Sequence, residues 1–331
     1  MSKIQRTKAE YGGFLTLELN PGKEFFDKYE DCLLRFNSVK ASLDHLIRKL
    51  SIKKLWIPYY YCPSTIQAIK NTGVDLSFYH VDGDLLPIKL FPEPDDSILL
   101  VNYFGVMDDK FDPMIESFSH HTVILDNAHS FFSKPFMKTN VYNVYSAKKI
   151  IGVPDGSYVL GEMLEVEQQE DVYGASNAEY LIKSYEEGTN AVYKLKKETD
   201  ERLAKDFKPM SVLSRGILKN ADYDRIERSR SANFSAYSKV LSKYNELIFE
   251  KSYSAYAYPF LIRGGNIIKK KLIEDKIYVP TLWNGNDLLE NGNEFELHMS
   301  ENAVFLPVDQ RYDENDISYI ASRVIDFIED L

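Results

Sequence analysis

Short apolar runs alternate with amphipathic segments along the first half of the chain. Five runs of strand length lie between residues 54 and 146, namely "KLWIPYY", "LSFYHVD", "SILLVNYFG", "TVILDNAH" and "VYNVYSA". The segments between them include "PSTIQAIKNTG", which begins with Pro63 and ends at Gly73 as helices often do, and "DPMIESFSHH", which also has the length of a helix. The alternation predicts βαβ units and a mostly parallel sheet with helices on both faces.

Helical segments are predicted on both sides of this region. Ser38 is placed to cap "VKASLDHLIRKL", whose apolar residues recur at three- and four-residue spacing. The stretch from about 165 to 250 is helical and heavily charged, and strand-like and helix-like segments mix after it. We therefore predict a large α/β domain over residues 1–250 and a small α+β domain over 251–331.

Charge and cysteine content narrow the class of protein. The chain has 331 residues, with 40 Lys and Arg against 50 Asp and Glu, so its formal net charge is -10. This balance argues against nucleic acid or a membrane surface as a partner. Two cysteines, Cys32 and Cys62, are too few for a Cys-based zinc site and fit a reducing compartment. The start "MSKIQRTKAEYGG" has no apolar core of signal-peptide length, so we expect a soluble cytoplasmic protein without a metal.

Two polar residues follow a predicted buried strand. Ligands bind at the carboxyl ends of the strands of an open parallel sheet, so polar residues at those ends are the first candidates for chemistry. Asp126 comes directly after three apolar residues of "VILDNAH" and needs a cationic partner if it is ionised, although an Asp that caps a turn gives the same pattern. His129 follows three positions later, either as a packing residue or as a catalytic group.

Two further places complete a set of groups. In "VYSAKKIIGVPDG", Ser146 precedes Lys149 by three positions at a strand end, where the serine is placed to hold an anion beside a working lysine. The helix that begins at Ser38 exposes free N–H groups, which suit a phosphate, although a simple cap also explains this serine. Pyridoxal 5'-phosphate (PLP) has a phosphate, an aldehyde that reacts with lysine and a ring nitrogen that favours a carboxylate. The order of phosphate helix, Asp and Lys resembles that of fold type I PLP enzymes.

Six motifs in the same order resemble those of one family. "FNSVKASL" resembles its phosphate helix, "WIPYYYCPST" a strand end, "VILDNAHSFF" an Asp-x-Ala-His motif and "YSAKKIIGVPDGSYV" its lysine loop. "RSRSANFSAY" resembles a family helix, and "IYVPTLW" with "VFLPVDQRY" resembles its C-terminal domain. The chain resembles the DegT/StrS family of PLP-dependent sugar aminotransferases over most of its length. The resemblance implies a fold type I transferase, with a mostly parallel sheet sandwiched by helices.

The resemblance implies roles for particular residues. It makes Lys149 the residue that carries the cofactor and moves the proton, and it places Asp126 against the pyridine nitrogen. His129 is expected by the ring or its phenolic oxygen, while Ser146 and Ser38 are expected to hold the phosphate. Lys148 then matches the basic residue that precedes the reactive lysine in the family, and we expect it near the phosphate or a helix end.

The chain departs from the family pattern at three places, one of which is Ser157, where a second glycine commonly follows Asp155-Gly156. Val39 and Lys40 stand where glycine and threonine or arginine usually follow the serine, so a lysine charge would replace some backbone contacts to the phosphate. Cys62 stands where many relatives carry an aromatic residue stacked on the cofactor. Tyr60 or Tyr61 is then the substitute, or the ring packs on the sulfur of Cys62.

The function implied is amino transfer from glutamate to a keto sugar carried on a nucleotide. The family also implies a homodimer, with Arg230 or Asn233 as candidate contacts. A PLP-dependent sugar dehydratase or eliminase is an alternative, which the presence of Lys149 disfavours because the dehydrating relatives have histidine there. A non-catalytic PLP-binding regulatory protein is a second alternative, to which Val39 and Cys62 lend weight. The sequence leaves the sugar, its nucleotide and the aminated carbon open.

Overall fold

An eight-stranded mixed sheet forms the centre of the computed structural model, which describes residues 13–165 and 169–331. Its strands are β1 Leu33–Phe36, β2 Lys54–Pro58, β3 Asp75–Val81, β4 Pro87–Ile88, β5 Ser97–Val101, β6 Val123–Asn127, β7 Val141–Ser146 and β8 Ser157–Leu160. Their order across the sheet is β1-β8-β7-β6-β5-β2-β3-β4. The run β3-β2-β5-β6-β7 is parallel, whereas β1, β4 and β8 pair antiparallel with their neighbours. The α/β class and the mostly parallel sheet are therefore confirmed.

Helices cover the sheet and continue beyond it. They are α1 Val39–Lys49, α2 Pro63–Lys70, α3 Phe111–Ser117, α4 Glu179–Glu187, α5 Tyr193–Leu203, α6 Val212–Leu218, α7 Tyr223–Leu241, α8 Gly265–Glu274, α9 Asn286–Asn291, α10 Glu294–Asn302 and α11 Glu314–Glu329. The three predicted from the first half of the sequence are α1, α2 and α3. Ser38 caps α1 as predicted, since its Oγ accepts a hydrogen bond from the Ala41 N–H at 3.2 Å.

The middle of the sheet is buried on both faces. Every residue of β5, β6 and β7 is buried, which explains why these strands appear as continuous apolar runs and not as an alternating pattern. β3 lies beside the edge strand β4, and most of its residues are only partly buried. Because β5, β6 and β7 are parallel neighbours, the residues at their carboxyl ends meet at one edge of the sheet. These residues are Asn102, Asp126 and Ser146.

The C-terminal part contains a two-stranded antiparallel sheet of β9 Ala257–Leu261 and β10 Ala303–Pro307, with α8 to α11 around it. Helix α7 precedes the predicted boundary at residue 250, yet it packs against α11 and β9. Asn233 in α7 donates to the carbonyls of Val308 at 3.2 Å and Tyr312 at 3.1 Å. The division at residue 250 stays a prediction.

Two candidate dimer contacts lie inside the chain. Arg230 and Asn233 are both buried, and the Arg230 guanidinium donates to the carbonyls of Ala255 at 2.9 Å and Ile150 at 3.3 Å. The sequence named them as candidates because they lie in the long helical stretch from about residue 165 to 250 and because the family resemblance implies a homodimer. In this fold they are interior groups that tie α7 to neighbouring segments, so neither is a surface contact.

The N-terminal "MSKIQRTKAEYG" lies outside the described residues, as do residues 166–168. Within the described ranges, no helix is long and apolar enough to cross a membrane. The same ranges contain no group of three or more His, Cys, Asp or Glu side chains arranged to hold a metal ion.

Candidate active site

A cavity of about 510 Å³ opens where the carboxyl ends of β5, β6 and β7 meet the first turn of α1. Eight of the nine candidate residues line it: Ser38, Val39, Lys40, Cys62, Asp126, His129, Ser146 and Lys149. The ninth, Tyr60, is buried in the hydrophobic core, and its hydroxyl donates to the Leu282 carbonyl at 3.3 Å. Its neighbour Tyr61 lines the cavity instead. The fold thus brings together residues that are more than 100 positions apart in the sequence.

Lys149 and His129 form the closest polar contact within this group. The Lys149 ammonium lies 2.9 Å from His129 Nε2 and 5.1 Å from the centre of the Tyr256 ring. Burial and the charge of Lys149 lower the pKa of His129 well below its usual value, so the imidazole is neutral. An ammonium donates to Nε2, which leaves the ring proton on Nδ1.

His129 Nδ1 is a buried donor that lacks a hydrogen-bond partner within the described ranges. The imidazole lies parallel to Tyr256, with ring centres 4.4 Å apart, and parallel to Trp283 at 5.4 Å. These contacts fix the plane of the ring without satisfying Nδ1. A buried donor without an acceptor is costly, and a ligand oxygen in the cavity would remove that cost.

Asp126 is a buried carboxylate at the end of β6. The Tyr61 hydroxyl donates to Oδ2, and the Ala128 N–H donates to Oδ1 at 2.8 Å. Burial raises the pKa of Asp126 above its usual value, although these two hydrogen bonds and the charge of Lys149 oppose the change. No cation lies within ion-pair distance of this carboxylate in the part of the chain that the structure describes. Its charge is therefore only partly compensated.

Free donors gather near the start of α1. Lys40 is partly buried, burial lowers its pKa, and it makes no hydrogen bond or ion pair to any described residue. Ser146 at the end of β7 is buried, and its hydroxyl has no partner among the same residues. The Ser38 hydroxyl is already used in capping, so its simple structural role is present whatever else it does. Lys40 and Ser146 are the groups free to bind an anion.

Lys148 points to a different place from Lys149. Its ammonium donates to Asp200 Oδ1 at 2.6 Å and lies 5.4 Å from the centre of the Tyr180 ring. The other oxygen of Asp200 accepts from Lys196 at 2.6 Å, within α5. We call Lys148, Asp200 and Lys196 the mouth cluster. Sequence reasoning expected Lys148 near a phosphate or a helix end, whereas the structure pairs it with a carboxylate.

Cys62 lines the cavity directly before α2. Burial raises the pKa of its thiol, but hydrogen bonds with Ser64 and Thr65 and the charge of Lys149 outweigh burial, so the pKa is lowered. The sulfur lies 3.3 Å from Ser64 Oγ. Position 62 has no aromatic ring, but Trp283 of the C-terminal part lines the same cavity and supplies one.

Sequence reasoning missed several lining residues: Asn37, Asn102, Tyr180, Asp200, Tyr256 and Trp283. Asn102 directly follows the apolar run of β5, so the same strand-end argument that selected Asp126 also identifies it. Trp283 carries no such signal, since it lies in an irregular segment with a φ of +122°. A non-glycine residue in that region is strained and is held there by its surroundings.

No protein-family model matches the chain, and no curated protein matches it by sequence. Solved structures do match. PseC of Helicobacter pylori, an aminotransferase involved in the biosynthesis of pseudoaminic acid, is 14% identical with a TM-score of 0.63, over 90% of this chain and 87% of that one. The sugar aminotransferase CalS13 of Micromonospora echinospora is 13% identical with a TM-score of 0.62, over 90% and 88%.

The chain has the fold of the sugar aminotransferases. A DegT/DnrJ/EryC1/StrS aminotransferase from Brucella abortus matches similarly, with 14% identity, a TM-score of 0.61 and coverage of 89% of this chain and 85% of that one. The predicted fold type I architecture is confirmed by these neighbours. Identities this low establish the fold, so the roles of individual residues must be argued from the cavity itself.

Proposed function

We propose that this protein is a PLP-dependent aminotransferase that transfers an amino group from glutamate to a nucleotide-linked keto sugar. The observation that carries the proposal is one cavity containing a buried carboxylate whose charge is only partly compensated, Asp126, and a lysine ammonium, Lys149. A carboxylate and a lysine amine are the two groups that this cofactor requires at opposite parts of its ring. The shared fold with sugar aminotransferases supports the same conclusion.

The residues present fit the cofactor. When bound, PLP supplies an aldehyde that condenses with amines and a ring that accepts the electrons left when a proton leaves the α-carbon. Asp126 would hold a proton on the ring nitrogen, and that cation would compensate the charge that burial now disfavours. Tyr61 and the Ala128 N–H fix the orientation of the carboxylate. The Nδ1–H of His129 would donate to the phenolic oxygen, which satisfies a donor that is otherwise orphaned.

Lys149 would hold the cofactor and then act as the base. Its amine would take a proton from the α-carbon of the donor and pass it to the cofactor in the first half-reaction, and it would deliver a proton to the carbon that becomes aminated in the second. His129, at 2.9 Å, orients this amine, and the parallel ring of Tyr256 limits the directions in which it can move. The phosphate would be bound by the Lys40 ammonium, the Ser146 hydroxyl and backbone N–H groups of the first turn of α1. The two side chains have no other hydrogen-bond partner among the described residues, and all three groups line the cavity. Val39 contributes only its backbone there, and Cys62 contributes a polarisable sulfur beside the ring.

The protein is proposed to act as a cytoplasmic homodimer. Several large side chains of the stretch that contains α4 and the start of α5 are exposed: Tyr173, Ile182, Tyr185 and Tyr193. An apolar surface of this kind supports an interface with a second copy. Light scattering on the cofactor-loaded protein tests this, and a stable active monomer of 38.3 kDa contradicts it.

The amino-transfer proposal is tested by absorbance of the PLP-loaded protein during addition of glutamate. We expect the yellow band to disappear as the cofactor is converted to its amine form, and a nucleotide-linked keto sugar to restore it. Borohydride reduction followed by peptide mapping should find the pyridoxyl group on Lys149. A modified Lys148, or no conversion with any amino acid, contradicts the proposal.

A further inference from the structure

The charge of the cavity is opposite to that of the chain. The formal net charge of the whole chain is -10, yet four lysines and only two aspartates line the cavity. Asp126 is buried at the inner end, where a ring nitrogen is its proposed partner. The remaining surface therefore favours anions, and it has more positive charge than one phosphate at the start of α1 requires.

The surplus lies in the mouth cluster. Each oxygen of Asp200 binds one lysine, Lys148 at 2.6 Å and Lys196 at 2.6 Å, so one negative charge is shared between two positive charges. Two ammonium groups held on a single carboxylate present a site for a second anion. Asp200 and Lys196 are partly exposed, with 41% and 51% of their side-chain surface accessible, so Asp200 can return to water at little cost.

The kind of cation indicates the kind of anion. A planar guanidinium matches a carboxylate through two parallel hydrogen bonds, and arginine is the usual residue for that task. No arginine lines the cavity among the described residues; all four cations are lysines. Lysine binds as a compact point charge, which suits the several oxygens and the higher charge of a phosphate chain.

We propose that Lys148 and Lys196 bind the diphosphate of the nucleotide-linked substrate, which takes the place of the Asp200 carboxylate. The two lysines are different residues from those proposed to hold the cofactor phosphate, Lys40 and Ser146, although all of them line the same cavity. In the absence of substrate, Asp200 holds the two ammonium groups together, so the site is formed before the ligand arrives. This inference rests on the proposed function, because it assigns the residues that bind the diphosphate part of the proposed substrate.

Binding of uridine diphosphate to the PLP-loaded protein, measured by calorimetry, tests the proposal without turnover. Lys196→Ala should weaken binding roughly three- to tenfold, the scale of one partly exposed charge contact. Lys197→Ala is the matched control, since it removes the same charge from the next, exposed position of α5, which does not line the cavity. It should change binding by less than about twofold. Equal effects of the two variants overturn the assignment.

Asp200→Asn gives an independent arm. Removal of the competing charge should tighten binding of uridine diphosphate, and tighter binding should fade as salt is raised because the contacts are screened. Weaker binding in this variant overturns the proposal. Glutarate serves as a dicarboxylate probe: if Lys196→Ala weakens glutarate and not uridine diphosphate, the lysines bind carboxylates and the diphosphate assignment is wrong.

The two proposals fail separately. Loss of the glutamate-driven colour change with normal, Lys196-dependent binding of uridine diphosphate contradicts only the proposed amino transfer. A normal colour change, together with uridine diphosphate binding that Lys196→Ala does not weaken, contradicts only the diphosphate site.

Discussion

The inner wall of the cavity and its mouth hold two neighbouring lysines against different partners. We call Asp126, His129 and Lys149 the inner wall. Asp126 and His129 are 4% and 3% exposed, whereas the side chains of Asp200 and Lys196 at the mouth are 41% and 51% exposed. Burial makes Asp126 and His129 depend on protein or ligand partners, since water cannot replace them, whereas Lys149 is exposed toward the cavity. At the mouth, water screens the charges of Asp200 and Lys196 and makes their partners exchangeable, although the Lys148 side chain is only 18% exposed.

The turn after β7 produces this difference. The N–H groups of Ile150 and Ile151 both donate to the Ala147 carbonyl, at 3.0 and 2.8 Å, so the two lysines lie in one helical turn. Successive residues in such a turn point about 100° apart. Lys149 therefore enters the cavity beside His129, and Lys148 reaches across the opening to Asp200.

The strongest test of the comparison is replacement of the inner lysine. Lys149→Ala should abolish the yellow cofactor band and lower turnover by at least about a thousandfold, because both the attachment point and the base are lost. Absorbance and product formation measure the two effects. If the Lys149→Ala protein still turns over, positions 148 and 149 do not differ in function as their different partners predict.

Asp126→Asn should have the next largest effect. The amide keeps the shape and the hydrogen bond from Tyr61 but cannot hold a proton on the ring nitrogen, so the rate with glutamate should fall by about a hundredfold. Cofactor binding should persist. Single-turnover kinetics measure the rate, and an unchanged rate removes Asp126 from the proposed chemistry.

The lowered pKa of His129 leads us to expect that the stability of the cofactor-free protein depends on pH. Because burial depresses its pKa in the folded state, the unfolded chain binds the extra proton below about pH 6.5, and stability is lost as pH falls through that value. The loss approaches about 1.4 kcal/mol per pH unit for this one group. The free energy of unfolding, measured with urea at pH 7 and pH 5, should change less between the two pH values in His129→Gln than in the exposed control His120→Gln. Equal differences contradict the prediction.

Lys148→Ala should give the smallest effect. Its partner is half exposed, so cofactor affinity should fall by no more than about tenfold, and the loss should shrink at high salt. Equilibrium titration with PLP at low and high ionic strength measures both. A salt-independent loss of a hundredfold places Lys148 with the inner wall.

Local patterns predicted the parts of the site that local structure determines. Asp126 and Ser146 were identified because a strand end is visible in the sequence as the last residue of an apolar run. Tyr60 was an unresolved choice with Tyr61, since β2 ends at Pro58 and strand alternation no longer applies beyond it. Asp200 and Trp283 were not predicted, because they reach the cavity through long-range packing of α5 and an irregular segment.

The attachment of that irregular segment has a consequence for biosynthesis. The Tyr60 hydroxyl donates to the Leu282 carbonyl, 222 positions further along the chain, and the Trp283 carbonyl accepts from Ser300. The wall beside His129 is therefore complete only when the C-terminal part has emerged from the ribosome and docked. A nascent chain that has finished its central sheet has an open cavity, and the contacts that close it are among the most distant in sequence, the kind that form slowly during folding.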